Sequence, residues 1–352
     1  MFDPKVELTR EYLKLIAEID EFKGRWEALG RFSPEHLQGL RHVATIESIG
    51  SSTRIEGATL SDAEIETLLA HIGATPFSSR DEEEVAGYAE AIDLVFHAFE
   101  DLRITENHIR QLHRLLLKHS SKDERHRGDY KKLSNNVVAR DPDGNEIAVV
   151  FQTATPFKTP DRMEELVRWV NRAIEEESFH PLLIVGIFVV EFLAIHPFQD
   201  GNGRLSRILT TLMLLRAGYR YVPYASLERI VEENKDLYYR ALRRTQSTLK
   251  KEPPDWEPWL GFFLRCLKKQ KDQLEKKIHE DKVARNMEDL PVLSSEIIDL
   301  LGNHETLSAA NLSEILGANR NTLKVRLRDL IQAGFIKRQG KGRATLYRLL
   351  RR

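Results

Sequence analysis

The stretch His196-Pro197-Phe198-Gln199-Asp200-Gly201-Asn202-Gly203-Arg204-Leu205-Ser206-Arg207 constrains the chain more than any other. One apolar segment, Leu182 to Ile195, runs into it, and a second, Leu205 to Ala217, runs out of it. Proline has no amide proton and its ring clashes with a helical backbone, so Pro197 ends the first helix near His196. Gly201-Asn202-Gly203 allows a tight turn with N–H groups directed inward. The second helix starts there, and its unpaired amides and dipole attract anions. Arg204 and Arg207 follow one turn apart on one face. A short loop between two core helices thus presents an imidazole, a carboxylate, an anion nest and two guanidinium groups. That set suits a nucleophile, a metal ion and a polyphosphate together.

These residues match the signature His-Pro-Phe-x-(Asp/Glu)-Gly-Asn-Gly-Arg-x-x-Arg at every specified position, and on that ground the chain resembles the Fic (filamentation induced by cAMP) family. The resemblance implies a mainly α fold, a helical core with a small β-hairpin flap. It also implies a protein adenylyltransferase, which transfers AMP from ATP to a Ser, Thr or Tyr hydroxyl and releases pyrophosphate. His196 is then the general base. Asp200 holds Mg²⁺ between the α- and β-phosphates. The amides of Gly201, Asn202 and Gly203 cradle the phosphates with help from the Asn202 side chain, Arg204 takes the β-phosphate and Arg207 the γ-phosphate. Phe198 points into the core and fixes the loop. Gly201 follows the acid, where phosphocholine-transferring relatives carry Ala.

A second motif lies upstream. Ser33-Pro34 opens a helix, with Ser33 as N-cap, that runs through Leu37, Leu40, Val43, Ile46 and Ile49 to Ser51-Ser52-Thr53-Arg54-Ile55-Glu56-Gly57. Gly57 reads as the helix-ending residue, and Ser52 and Glu56 share a face. Alone, this is a solvated Glu at a helix end. Beside the signature it resembles the family's inhibitory motif, (Ser/Thr)-x-x-x-Glu-(Gly/Asn). The resemblance implies that Glu56 reaches Arg207 and fills the space of the γ-phosphate, an Arg–carboxylate pair competing with an Arg–phosphate pair. Relatives bearing this Glu also remove AMP, with the Glu orienting water, so the reaction can run either way.

The rest of the chain fills in around these motifs. Residues 5–28 have helical apolar spacing (Val6, Leu8, Tyr12, Leu13, Leu15, Ile16, Ile19, Phe22, Trp26). Ser61-Asp62-Ala63-Glu64 is a capping box. Helices are expected at 81–100 and, after a Thr105 cap, at 106–119; His108, His113 and His119 read as ordinary helix residues without metal spacing. Two β-type runs, 136–139 and 147–151, flank the turn cluster Asp141-Pro142-Asp143-Gly144-Asn145 and predict a hairpin. In the family such a hairpin is the flap, about 136–157 here, whose edge holds a target segment main chain to main chain. A helix follows at 161–178. Glu191, inside the central apolar helix, reads as paired with a neighbouring Arg. Residues 226–250 read as helical. Within them Tyr238 and Tyr239, and more weakly Gln246, are candidates for the nucleotide; the alternative for the tyrosines is core packing. Pro253-Pro254 breaks the chain and Asp255 caps the helix that follows. Residues 268–288 read as a solvated connecting helix.

From Gly317 to Arg352 stand eleven basic residues against one acid, Asp329, although the chain carries a net charge of only −1. Helices at 294–302, 308–316 and 320–333, then strands at 335–338 and 345–349, give the order of a winged helix-turn-helix. Arg320, Lys324 and Arg328 lie on its recognition helix and Lys341 and Arg343 on its wing, a pattern suited to DNA phosphates. The competing class of function is a DNA-binding regulator that uses the signature domain as a nucleotide sensor. Winged helices also serve as protein-interaction or dimer modules, so a homodimer is a third partner class.

At 352 residues, one to three domains are expected. They are an N-terminal helical region (1–110, inhibitory helix about 34–57), a catalytic core (111–267, signature loop 196–207), a linker helix (268–289) and the winged helix (290–352). The lone Cys266 excludes an internal disulfide and sits in an apolar helical run, as a buried inert thiol would. Asp3, Lys5, Glu7 and Arg10 interrupt any leader. The longest apolar run, Pro181 to Pro197, is short for a membrane span and contains Glu191. A cytoplasmic protein without a membrane segment is expected.

Overall fold

The computed structural model describes residues 2–28, 34–72, 76–140, 146–288, 290–304, 306–340 and 345–350. The expected Ser33 cap and the 141–145 turn fall outside the described residues, as do Lys341 and Arg343. The chain divides into two compact units, Met1–Leu274 and Glu275–Arg352.

The first unit is built around α7 (Pro181–Ile195). Every side chain from Leu182 to Ile195 is buried, because a helix apolar all round needs neighbours on every side. α6 (Thr159–Glu175), α8 (Asn202–Arg216) and α10 (Lys235–Gln246) pack on it. Gly186 lets α11 (Glu257–Glu288) approach closely: a Cβ there would lie 2.6 Å from Leu260 Cδ2. Trp259 Nε1 donates to the Gly186 carbonyl at 2.7 Å. Around this centre lie α1 (Arg10–Ala28), α2 (Pro34–Ile55), α3 (Asp62–Ala70), α4 (Arg80–Ala98), α5 (Glu106–Leu116) and α9 (Leu227–Glu233). The strands β1 (Val137–Arg140) and β2 (Glu146–Phe151) form the expected antiparallel hairpin, Val137 opposite Phe151 and Arg140 opposite Glu146.

Several boundaries differ from expectation for local reasons. α1 begins at Arg10, not residue 5, where Thr9 Oγ1 accepts from the Tyr12 amide. Leu8 and Leu13, expected on its apolar face, are exposed. Residues 226–250 are two helices, not one, broken at Asn234. The stretch from 268 is not a solvated connector throughout. α11 runs on without a break, Leu274 is fully buried, and Gln270 Nε2 donates to the Ala225 carbonyl at 2.6 Å. Polar composition hid this, because long side chains lay their methylenes over apolar neighbours. Lys271, for example, holds its ammonium 5.9 Å from the centre of the Phe22 ring.

The second unit contains α12 (Val292–Asn303), β3 (Leu307–Ser308), α13 (Ala309–Leu316), α14 (Arg320–Gln332), β4 (Ile336–Gln339) and β5 (Leu346–Leu349). Ile297, Leu301, Leu312, Leu323, Leu327, Leu330 and Ile336 form its core. The sheet order is β3-β5-β4. Strand β3 has no counterpart in the sequence reading: two residues carry no periodicity, and Ser308, placed there as the first residue of the helix, is the N-cap of α13. Arg320, Lys324 and Arg328 are all exposed on α14. No helix among the described residues is long and apolar enough to cross a membrane.

Candidate active site

The loop between α7 and α8 begins on a left-handed residue. His196 has φ 52° and ψ 60°, and its amide closes the last turn of α7 on Phe192. This region suits few residues other than Gly, Asn, Asp and His. It turns the imidazole out of the apolar helix axis while keeping it at the helix end. Nδ1 lies 3.3 Å from the Leu193 carbonyl. A carbonyl only accepts, so Nδ1 carries the proton and Nε2 holds a free lone pair. Burial pushes the His196 pKa down to about 4, with Lys131 acting in the same direction and the Leu193 carbonyl, Glu56 and Asp200 opposing it. The ring is therefore neutral near pH 7 and able to accept a proton.

Asn202 pins the loop. Its Oδ1 accepts from the Phe198 amide at 2.9 Å and its Nδ2 donates to the Phe198 carbonyl at 2.7 Å. Its side chain is thus committed to the loop backbone. A second Nδ2 proton remains beyond that pair, and the Asn202 amide stands at the start of α8. Gly201, the residue before α8, has φ 77°. Phe198 is fully buried, as expected, and stacks on His113 with ring centres 3.8 Å apart.

The charges at the start of α8 are arranged in two groups. In the first, Asp200 Oδ1 accepts from the Gly201 amide at 2.6 Å and Oδ2 from Arg80 Nη2 at 3.1 Å. Burial alone would raise the Asp200 pKa; Arg204, the Gly201 amide and Arg80 together hold it below the usual carboxylate range. Arg204 is buried, 2.8 Å from Glu84 Oε2 and 3.4 Å from Asp200 Oδ1. In the second group, Arg207 Nε donates to Ser52 Oγ at 2.7 Å. Its Nη2 donates to the Ser52 carbonyl at 2.9 Å and to Glu56 Oε1 at 2.8 Å.

Helix α2 delivers Glu56 to that point by a specific ending. The Ala58 amide donates to the Thr53 carbonyl and the Gly57 amide to the Arg54 carbonyl, each at 3.1 Å. Gly57 takes φ 110°. That is a Schellman ending with Glu56 as the last residue before the glycine. Arg54 anchors the same turn through Glu232 at 2.7 Å and Asp62 at 2.9 Å. The Glu56 carboxylate lies so close to Gly203 that a Cβ there would collide with its Oε1. Glu56 thus stands on the anion-attracting end of α8.

Comparison with known proteins agrees with this geometry. Residues 103–214 match the sequence profile of the Fic/DOC family, and residues 293–337 that of a winged helix-turn-helix DNA-binding domain. Residues 103–214 thus resemble a Fic domain. Protein adenylyltransferase Fic of Drosophila willistoni is 29% identical over 239 residues, covering 67% of this chain and 43% of that protein. The Drosophila persimilis protein of the same name is 29% identical over 243 residues, covering 68% and 42%. The chain therefore spans less than half the length of these relatives. In fold it is similar to the crystal structure of a Fic family protein from Desulfovibrio desulfuricans G20, with a TM-score of 0.63 at 24% identity over 99% of this chain and 98% of that one. It is also similar to Fic-1 (aa134–508) from C. elegans, with a TM-score of 0.58 at 21% identity over 77% and 73%.

The first unit brings His196, Asp200, Arg204, Arg207, Ser52 and Glu56 together. The two tyrosines separate. Tyr238 is buried against Trp259 and Phe262, with its hydroxyl facing Arg207. Tyr239 is half-buried, near Glu56 and Arg207. Gln246 is buried. Glu191 pairs with Arg162 at 3.1 Å, as expected, and burial pushes its pKa up to about 7 against the pull of Arg162. Cys266 is buried, and burial pushes its pKa up to about 12.

His113 is not an ordinary helix residue. It accepts from the Gly128 amide at Nδ1 (2.8 Å) and donates from Nε2 to the Asp200 carbonyl (3.0 Å). It ties the signature loop to the loop after α5. Arg80, Glu84 and Lys131 also escaped the sequence reading. Each reaches the site across a long sequence separation, and none belongs to a spaced motif.

Proposed function

We propose that this Fic domain transfers AMP from ATP to a Ser, Thr or Tyr hydroxyl of a protein and is held off by Glu56. The observation that carries this reading is the Glu56–Arg207 hydrogen bond beside Gly203: a carboxylate stands on an anion site, against a buried guanidinium suited to phosphate. The name of the Drosophila relatives supports the class of reaction. The γ-phosphate displaces Glu56 from Arg207. The attacking hydroxyl gives its proton to Nε2 of His196 as its oxygen bonds to the α-phosphorus. The bond from that phosphorus to the bridging oxygen breaks, and pyrophosphate leaves with the electron pair. The amides of Asn202 and Gly203 hold phosphate oxygens while that of Gly201 holds Asp200, and Tyr239, near Glu56 and Arg207, is the candidate to meet the nucleotide. The target lies extended along the hairpin edge, so its main chain is held and its sequence matters little.

The residues present suit Mg²⁺. Asp200 is anionic and about a third exposed. Among the described residues no group of three His, Cys, Asp or Glu side chains is arranged to hold a metal ion. Mg²⁺ commonly takes one or two carboxylates, with water and substrate phosphates completing its shell, so Asp200 is a sufficient protein ligand. When bound, the ion neutralises phosphate charge. The Arg80 guanidinium, 3.1 Å from Asp200 Oδ2, competes with a cation for the same carboxylate.

The test uses α-labelled ATP and Mg²⁺ with wild type, Glu56→Gly and Glu56→Gly/His196→Ala. Label on protein is expected to rise strongly in the single variant and to vanish in the double. A single variant that stays silent overturns the reading.

A second reading is favoured by the match of residues 293–337 and by the exposed Arg320, Lys324 and Arg328 on α14: the second unit binds DNA through its phosphates. Salt-dependent binding of the full chain to a random duplex tests it, and no binding at low salt rules it out.

A further inference from the structure

Lys131 is buried and makes no ion pair with any described acid. Its ammonium donates to three neutral oxygens: Asn135 Oδ1 at 2.7 Å, Thr153 Oγ1 at 2.9 Å and the Ile195 carbonyl at 3.0 Å. Its own amide donates to the Pro197 carbonyl at 2.8 Å. The two carbonyls it holds belong to the residues on either side of His196. The other two oxygens belong to the roots of the hairpin: Asn135 stands just before β1 and Thr153 just after β2. Neighbouring bonds knit the same three pieces. The Thr153 amide donates to Asn136 Oδ1 at 3.1 Å and the Ala154 amide to the Ala194 carbonyl at 3.3 Å. Asn135 Nδ2 reaches the carbonyls of His196 at 3.2 Å and Phe198 at 2.6 Å.

A buried ammonium without a carboxylate is costly unless its protons are all used. Here all three are used, at the end of α7, where the helix dipole favours a cation. The His196 amide closes the last turn on Phe192, and Lys131 takes the Ile195 carbonyl beyond it. We propose that Lys131 is a positioning residue that fixes the left-handed His196 to the roots of the flap, so that the hairpin holding the target hydroxyl and the base receiving its proton move as one body. The charges that act most on the His196 ring are Lys131, Glu56 and Asp200. Lys131 is the only cation of the three, so it also opposes protonation of the ring. Burial lowers its own pKa to about 8, which leaves it charged at pH 7.

The inference rests on His196 acting as the base, and the experiment separates the two. In the Glu56→Gly background, Lys131→Met is expected to lower kcat for AMP transfer by about tenfold or more with the KM for ATP little changed, the pattern of an interaction used in the transition state. The His196 ring titration, followed by NMR without turnover, is expected to move upward by about half a unit or more once the cation is gone. Lys131→Cys treated with 2-bromoethylamine restores an amine of nearly the same reach and is expected to restore both readouts. If the Lys131→Met variant folds but keeps kcat and the His196 titration of its parent, the inference is overturned. If it fails to fold, the alkylated and unalkylated Cys variants decide, and equal readouts in both overturn it. Silence of the Glu56→Gly parent strikes the adenylyltransferase reading alone, because the titration still reports on Lys131.

Discussion

Replacing Glu56 by Gly removes one charge-assisted hydrogen bond, to Arg207 at 2.8 Å, and clears the space beside Gly203. A hydrogen bond between charged groups contributes about 1.5–3 kcal/mol. Arg207 is nearly enclosed, but the Glu56 side chain is 32% exposed, so solvent screening places this pair at the low end, about 1.5–2 kcal/mol. That corresponds to roughly ten- to thirtyfold in the share of molecules whose Arg207 is open to a phosphate. Label transfer from α-labelled ATP, at ATP below saturation, is therefore expected to rise by about that factor. Arg207 keeps both Ser52 hydrogen bonds in the variant, so the fold is expected to hold, with a thermal midpoint within a few degrees of wild type. Glu56→Gln keeps the bulk against Gly203 and loses the charge, and should fall between the two. A folded Glu56→Gly protein with wild-type transfer at every ATP concentration would refute the reasoning, for it would show that the carboxylate does not compete with substrate.

Burial pushes the His113 pKa down to about 4, with the Asp200 carbonyl opposing. The unfolded chain takes up this proton near its ordinary value and the folded chain only near 4, so stability is full above about 6.5 and declines by on the order of 3 kcal/mol as pH falls through about 4. A His113→Gln variant should show a flatter dependence of thermal midpoint on pH in that window, and an unchanged slope refutes the claim. Arg80→Ala removes the guanidinium 3.1 Å from Asp200 Oδ2; in the Glu56→Gly background, Mn²⁺ binding read by electron paramagnetic resonance should tighten, and weaker binding refutes it. Arg320→Ala with Lys324→Ala should lower the slope of log affinity for random duplex against log salt by about 0.9 for each phosphate no longer neutralised, and an unchanged slope shows that α14 does not face the backbone.

What sequence revealed and what it hid divides along one physical line. Residues that act through their neighbours in sequence were legible. The apolar run, Pro197 and Gly201 define α7, the loop and α8, and Gly57 marks the helix end that delivers Glu56. The serine–glutamate spacing on α2 was legible as a shared face, and the pairing with Arg207 followed only from the family resemblance. What stayed hidden were side chains whose role depends on which loop the fold lays against them. His113 stands on α5 with ordinary spacing. Its function comes from the loop that brings the Gly128 amide and the Asp200 carbonyl to its two nitrogens. Asn202 belongs to the signature, yet its side chain serves the Phe198 backbone, a detail of loop closure that spacing does not encode.

Lys131 is the extreme case. In sequence it is one of two adjacent lysines between a turn and a hairpin, a setting in which a lysine is expected to be solvated. Lys131 is buried while Lys132 is exposed, and no local pattern separates them. The difference arises because α7 ends beneath Lys131, with the carbonyls of Ile195 and Pro197 directed at it. A helix that ends in a left-handed histidine followed by proline leaves carbonyls without amide partners, and the chain that crosses that end must supply donors. Lys131 and Asn135 supply them. The left-handed turn at His196 thus creates the need that the root of the hairpin fills, which is why the end of α7 and the hairpin are held by the same residues.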